Sequence, residues 1–248
     1  MKKMIILGQS TAYGLDIVKP STVDMSKDDY RNQSCFWHYV FKKINFDEYE
    51  NLAAPGDSNE SIFRKILTYY AENQNNDDEL FFLVCLSAGE LFEVYDKTSD
   101  SLKNVIFLES STIVKAMNEK SESLFTKRTP QDIKDLMKLY SEKFLHVDHS
   151  LQRFFASVIA IQGFFKEHNL NYRFIHSCSP ALSMDWDTIK NHPISKMYDP
   201  LIDKSRFIDY MEVDSLNETV NNSAKLGRFF HALEDGHAHY GKYLATKF

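Results

Sequence analysis

The chain reads as an α/β protein, with a mostly parallel sheet of about five strands covered by helices on both faces. Three observations predict this. Met4-Ile5-Ile6-Leu7 is a short, uninterrupted apolar run that ends at Gly8, the pattern of a central strand buried on both sides. Glu79–Leu86 repeats that pattern in Leu80-Phe81-Phe82-Leu83-Val84-Cys85-Leu86. Between and after them, strand, turn and amphipathic helix recur in the same order, which is the signature of parallel strands with helical crossovers.

The elements follow in order. Gly8 lets the backbone turn sharply after the first strand, leaving Ser10 at the carboxyl end where open α/β sheets place their ligands. A serine there is either a turn residue and helix cap or a nucleophile. Residues 15–34 are polar, contain Pro20 and read as a loop. Apolar residues at helical spacing predict a helix over about 35–44, with Trp37 as a core residue. A short strand over 48–53 runs into Ala54-Pro55-Gly56-Asp57-Ser58-Asn59-Glu60. Asp57 with Glu60 three residues on has the form of a capping box. Ile62, Phe63, Ile66, Leu67 and Tyr70 then form one apolar face. The strand at 79–86 ends at Ser87-Ala88-Gly89-Glu90.

Beyond about residue 95 the periodicity weakens, and residues 95–145 read as a mainly helical insertion at the carboxyl edge. Thr129-Pro130-Gln131-Asp132 is a helix start with Pro at the first helical position. Leu151, Phe154, Phe155, Val158, Ile159, Gln162 and Phe165 mark a strongly amphipathic helix. Asn171–Ser177 is the next strand, 178–206 a loop with short helical turns, and Phe207–Val213 a last short strand or extended segment. Asp235-Gly236-His237 leads into a terminal helix through Ala245. Nothing resembles an interdomain linker, so residues 1–248 read as one domain.

Composition narrows the function. A net charge of −6 and the lack of a long basic tract argue against nucleic acid as a partner. Cys35, Cys85 and Cys178 are too dispersed for a disulfide framework or a zinc knuckle. No signal peptide or membrane-spanning segment is legible, so a cytoplasmic protein with no membrane partner is expected. His146-Val147-Asp148-His149 and His237-Ala238-His239 lack a diagnostic metal spacing. Gly8 and Gly14 do not make a dinucleotide fingerprint. No metal and no cofactor are expected, and the sequence carries no signal for oligomeric state.

Taken together, Gly8-Gln9-Ser10-Thr11, Asn51-Leu52-Ala53-Ala54-Pro55-Gly56-Asp57-Ser58-Asn59 and Asp235-Gly236-His237 resemble the three blocks of the SGNH (GDSL-like) hydrolases. The closest pattern is the divergent branch whose first block is Gly-x-Ser-Thr. The resemblance covers the two ends of the chain and, thinly, the strands between them. It implies a flavodoxin-like three-layer αβα sandwich with Ser10 as nucleophile and His237 as base. Asp235 is the implied carboxylate orienting His237, with Glu234 as the alternative. The Ser10 and Gly56 N–H groups are the implied oxyanion donors. Two departures stand out. The turn after the third strand has Glu90 where the family supplies an Asn donor, leaving Asn59 or Ser87 as candidate third donors. Gln9 replaces the usual Asp before the nucleophile.

Two functions follow as expectations. One is a serine esterase acting on an ester of a carbohydrate, lipid or small metabolite. The other is a binding or structural module, in a phage or in surface-glycan modification, that keeps the scaffold without turnover.

Overall fold

The computed structural model describes residues 1–96, 101–106, 135, 139–140, 142–182, 184–211 and 233–248. Four parallel strands form the main sheet: β1 (Lys2–Gly8), β2 (Glu48–Asn51), β3 (Glu79–Leu86) and β6 (Asn171–His176), in the order β2-β1-β3-β6. Register places Ile6 beside Asn51, Gly8 beside Cys85 and Leu86 beside His176. A separate antiparallel hairpin, β4 (Leu91–Asp96) and β5 (Ser101–Ile106), follows β3.

The α/β class is as expected, but the sheet has four strands among the described residues rather than five. The segment expected as the fifth contributes a single parallel bridge, Phe174 to Phe207. The Ile208 N–H donates to the Phe174 carbonyl at 3.0 Å. Asp209 and Met211 follow, both at positive φ, and the pairing does not propagate among the described residues.

Strand residues alternate between two apolar layers, as the period of two requires. Ile5, Leu7, Phe82, Val84, Leu86 and Phe174 face α4 (Asn59–Asn73) and α5 (Val147–Glu167). Met4, Ile6, Leu83, Cys85 and Ile175 face α3 (Phe36–Ile44) and α8 (Glu234–Ala245). The two central strands are buried on both faces, which explains why their sequences are apolar without interruption.

Local differences from the expected elements have local causes. Residues 27–34, expected as loop, form α2 (Lys27–Ser34). Ser26 caps it by accepting from the Asp29 N–H, and Asp28 and Asp29 sit in its first turn. Since α2 buries no residue, it has no apolar stripe to betray it. The cap of α4 is Ser58, which accepts from the Ser61 N–H at 3.2 Å, one residue after the Asp57 expected there. The 178–206 segment contains α6 (Trp186–Asn191), α7 (Pro193–Tyr198) and two 3₁₀ turns, as expected. The helix start at Thr129–Asp132 lies outside the described residues. The 95–145 segment begins as the β4–β5 hairpin, tied to α4 by an ion pair between Arg64 and Glu93 at 2.6 Å. No helix among the described residues is long and apolar enough to cross a membrane.

Candidate active site

Four turns meet at the carboxyl edge of the sheet. The first follows β1. Gly8 has φ +150°, and a Cβ on it would lie 2.7 Å from the Cys85 Cβ, so the close approach of β1 to β3 requires glycine. The chain then makes α1 (Ser10–Tyr13), a single helical turn closed by Gly14 at φ 81°. Ser10 is 8% exposed. The carbonyls of this turn are gripped from neighbouring elements. The Trp37 indole N–H and the Asn51 side-chain amide both donate to the Ala12 carbonyl, at 2.9 and 3.3 Å. Cys35 Sγ lies 3.6 Å from the carbonyl oxygens of Thr11 and Ala12. Asn51 and Trp37 therefore hold the serine turn in place through its far end.

The second turn follows β2. Gly56 has φ 83°, the left-handed conformation glycine adopts without strain. Asp57 is 1% exposed and organises the turn. Its carboxylate accepts from the Ala54 N–H at 3.0 Å, the Ser61 hydroxyl at 2.9 Å and the Lys65 ammonium at 2.5 Å. The Ala54 N–H donates to the Gly8 carbonyl at 3.1 Å, joining this turn to the first.

Asn59, at the start of α4, bridges to the third turn. Its Nδ2 donates to the Ser87 carbonyl at 2.7 Å and its Oδ1 accepts from the Ser87 N–H at 2.8 Å. The Ser87 main chain is thus committed to Asn59. The Ser87 hydroxyl is buried with no hydrogen-bond partner among the described residues. The fourth turn joins through the Gln9 amide, which donates to Cys178 Sγ at 3.4 Å, and through the Gly89 N–H, which donates to the Pro180 carbonyl at 2.9 Å. The parallel crossovers bring the Ser10, Gly56 and Ser87–Glu90 turns together at this edge.

Glu90 occupies the turn position where the resemblance implies an Asn donor. It is buried, and its Oε1 accepts from the Leu182 N–H at 3.0 Å. That carboxylate anchors the 178–182 loop.

His237 is fully buried in the first turn of α8, its ring stacked on Phe36 at 5.9 Å between centroids and 5° between planes. The Phe36 N–H donates to Nδ1 at 3.4 Å, and Cys35 Sγ lies 3.7 Å from the same nitrogen. Because Cys35 Sγ also touches the Thr11 and Ala12 carbonyls, His237 is one side chain away from the serine turn. Burial pushes the Cys35 thiol far up, so it is a neutral thiol.

The two carboxylates before His237 have other neighbours. The helix begins at Glu234, so Asp235 and His237 are two residues apart on a helix and face different directions. Asp235 is exposed, and its Oδ1 accepts from the Gly236 N–H at 2.9 Å. Glu234 Oε1 accepts from the Tyr30 hydroxyl at 3.4 Å. At Nδ1 stand the Phe36 N–H and Cys35 Sγ. Cys35 and the Phe36 N–H went unnoticed in the sequence. Their one local signal is position at the head of an amphipathic helix, and nothing local connects them to residue 237. Among the described residues, no group of three or more His, Cys, Asp or Glu is placed to hold a metal ion.

This arrangement defines an α/β fold shared with a carbohydrate esterase. The structure resembles a carbohydrate esterase family 2 enzyme with its carbohydrate-binding domain from Corynascus thermopiles (Myceliophthora fergusii), with a TM-score of 0.50 and 13% identity. The match covers 99% of this chain and 65% of that one. A second carbohydrate esterase, described as having divergent catalytic and non-catalytic binding functions, aligns with a TM-score of 0.42 and 13% identity over 99% of this chain and 64% of that one. The chain therefore spans less than two thirds of the length of either. In sequence the chain belongs to DUF6071, a family of unknown function, whose model matches residues 16–247. No curated protein matches it.

Proposed function

We propose that the chain is a serine acyl-ester hydrolase of the divergent SGNH type, acting on an ester carried by a carbohydrate. Ser10 is the nucleophile and His237 the base that takes its proton and returns it to the leaving alcohol. The Ser10 and Gly56 N–H groups hold the oxyanion, with the Ser87 hydroxyl or Asn59 as the further donor. The observation that carries this reading is the convergence at one sheet edge. A buried serine on a gripped helical turn lies within one side chain, Cys35, of a fully buried histidine. The carbohydrate ester is drawn from the name of the similar esterase. The carboxylate role of Asp235, or of Glu234 in its place, belongs to the same proposal and requires that one of them leave its present partner. Each oxyanion donor is worth roughly a hundredfold to a thousandfold in rate. With two main-chain donors the enzyme is slow and works best on activated esters.

A fluorophosphonate probe tests this. The wild type should label at Ser10, and Ser10→Ala should not label while keeping its fold. Equal, background hydrolysis of nitrophenyl acetate by both proteins would overturn it. A second reading, an ester-binding module without turnover, is favoured by the donor on His237 Nδ1. That reading expects no labelling of either protein.

A further inference from the structure

The neighbours of His237 fix more than its position. The Phe36 N–H is the first amide of α3 and has no partner within its own helix, as is usual for a first turn. It donates to His237 Nδ1 at 3.4 Å. A main-chain N–H is a permanent donor, so the nitrogen facing it must offer a lone pair. The neutral imidazole then carries its hydrogen on Nε2. Cys35 does not reverse this, because its buried thiol keeps its proton and leaves the Phe36 N–H in place.

We propose that the N-terminus of α3, through the Phe36 N–H and the Cys35 side chain, is the positioning element for His237 and holds the resting ring as the Nε2–H tautomer. The proposal rests on the reading of Ser10 and His237 as the reactive pair. Its chemical consequence is definite. With Nε2 as the nitrogen that serves Ser10, the base must present a lone pair there, and the resting tautomer presents a hydrogen. Before Ser10 can give up its proton, the imidazole must move its own from Nε2 to Nδ1, where it meets the Phe36 N–H. An imidazolium formed during attack meets the same N–H. In triads a wrong tautomer lowers turnover by roughly ten-thousandfold. The α3 terminus therefore accounts for slow chemistry at a site whose backbone is otherwise well organised.

The tautomer is measured directly by two-bond proton–nitrogen correlation on ¹⁵N-labelled full-length protein, with His237→Gln assigning the signals. At neutral pH His237 should show a protonated Nε2 and an unprotonated Nδ1. Cys35 is the N-cap of α3, a position that favours aspartate. Cys35→Asp puts a carboxylate beside Nδ1 and should move the hydrogen there, with fluorophosphonate labelling of Ser10 faster by about tenfold or more. A wild-type spectrum with the hydrogen on Nδ1, or a Cys35→Asp spectrum identical to a wild-type Nε2–H spectrum, overturns the proposal. If the tautomer switches but no variant labels, the hydrolase reading fails and the positioning proposal stands. If Cys35→Asp does not fold, the wild-type spectrum decides alone.

Discussion

His176, the last residue of β6, is 4% exposed, and neither ring nitrogen has a hydrogen-bond partner among the described residues. Its neighbours are aromatic: Phe154 at 5.7 Å, Trp186 at 5.0 Å, Phe207 at 5.3 Å and Tyr210 at 6.2 Å between ring centroids. Burial opposes the charged form and lowers its pKa to about 3. An unfolded histidine titrates near 6.5. The folded state therefore binds fewer protons between those values. Stability is fully present above about pH 6.5 and is lost as pH falls toward 3, at up to about 1.4 kcal/mol per pH unit. His176→Phe suits the aromatic surroundings and removes two unsatisfied nitrogens. It should raise the urea midpoint and flatten its decline between pH 6.5 and 4, relative to wild type. An unchanged slope would show that the ring is hydrated or paired. Charge at Glu90 was legible in the sequence and its direction was not, because the loop amide it holds lies 92 positions away.

At the scale of elements, α8 seats His237 by lying close against α3. Gly241 makes that approach, since a Cβ there would be 2.6 Å from the Phe36 carbonyl oxygen and 2.5 Å from Tyr39 Cδ2. Gly→Ala in an exposed helix gains about 1 kcal/mol. Here the overlap with main chain should outweigh it, and overpacking typically costs about 1–3 kcal/mol. Gly241→Ala should therefore lower the thermal midpoint and shift the His237 imidazole signals, because Phe36 supplies both the obstructing carbonyl and the N–H on Nδ1. A gain in stability would mean that α8 stands off α3. The helices with apolar stripes, α3, α4 and α5, were readable from periodicity. The one without a stripe, α2, was readable only through the cap at Ser26.

For the whole molecule, both apolar layers are built on the same two strands, β1 and β3, whose residues alternate between them. We propose that the chain unfolds as one unit. The two tryptophans allow a test, because Trp37 belongs to the layer under α3 and Trp186 packs against the opposite layer. Trp37→Phe and Trp186→Phe each leave one reporter. Fluorescence midpoints in urea, each compared with far-ultraviolet circular dichroism of the same variant, should coincide. A fluorescence midpoint that separates from the dichroism of its own variant would reveal two units.

What the chain determined by itself was local: uninterrupted apolar runs for the central strands, a 3.6-residue period for the packed helices, and a glycine turn that leaves Ser10 at the carboxyl edge. Each depends on residues a few positions apart. The tertiary structure alone decided what faces His237. Its ring meets an amide 201 positions away, brought there by α8 lying against α3. Among the described residues tertiary packing likewise left one bridge of the expected fifth strand and started α8 at Glu234, so that Asp235 and His237 diverge. Such contacts depend on where one helix settles against another, and no spacing within either segment encodes that.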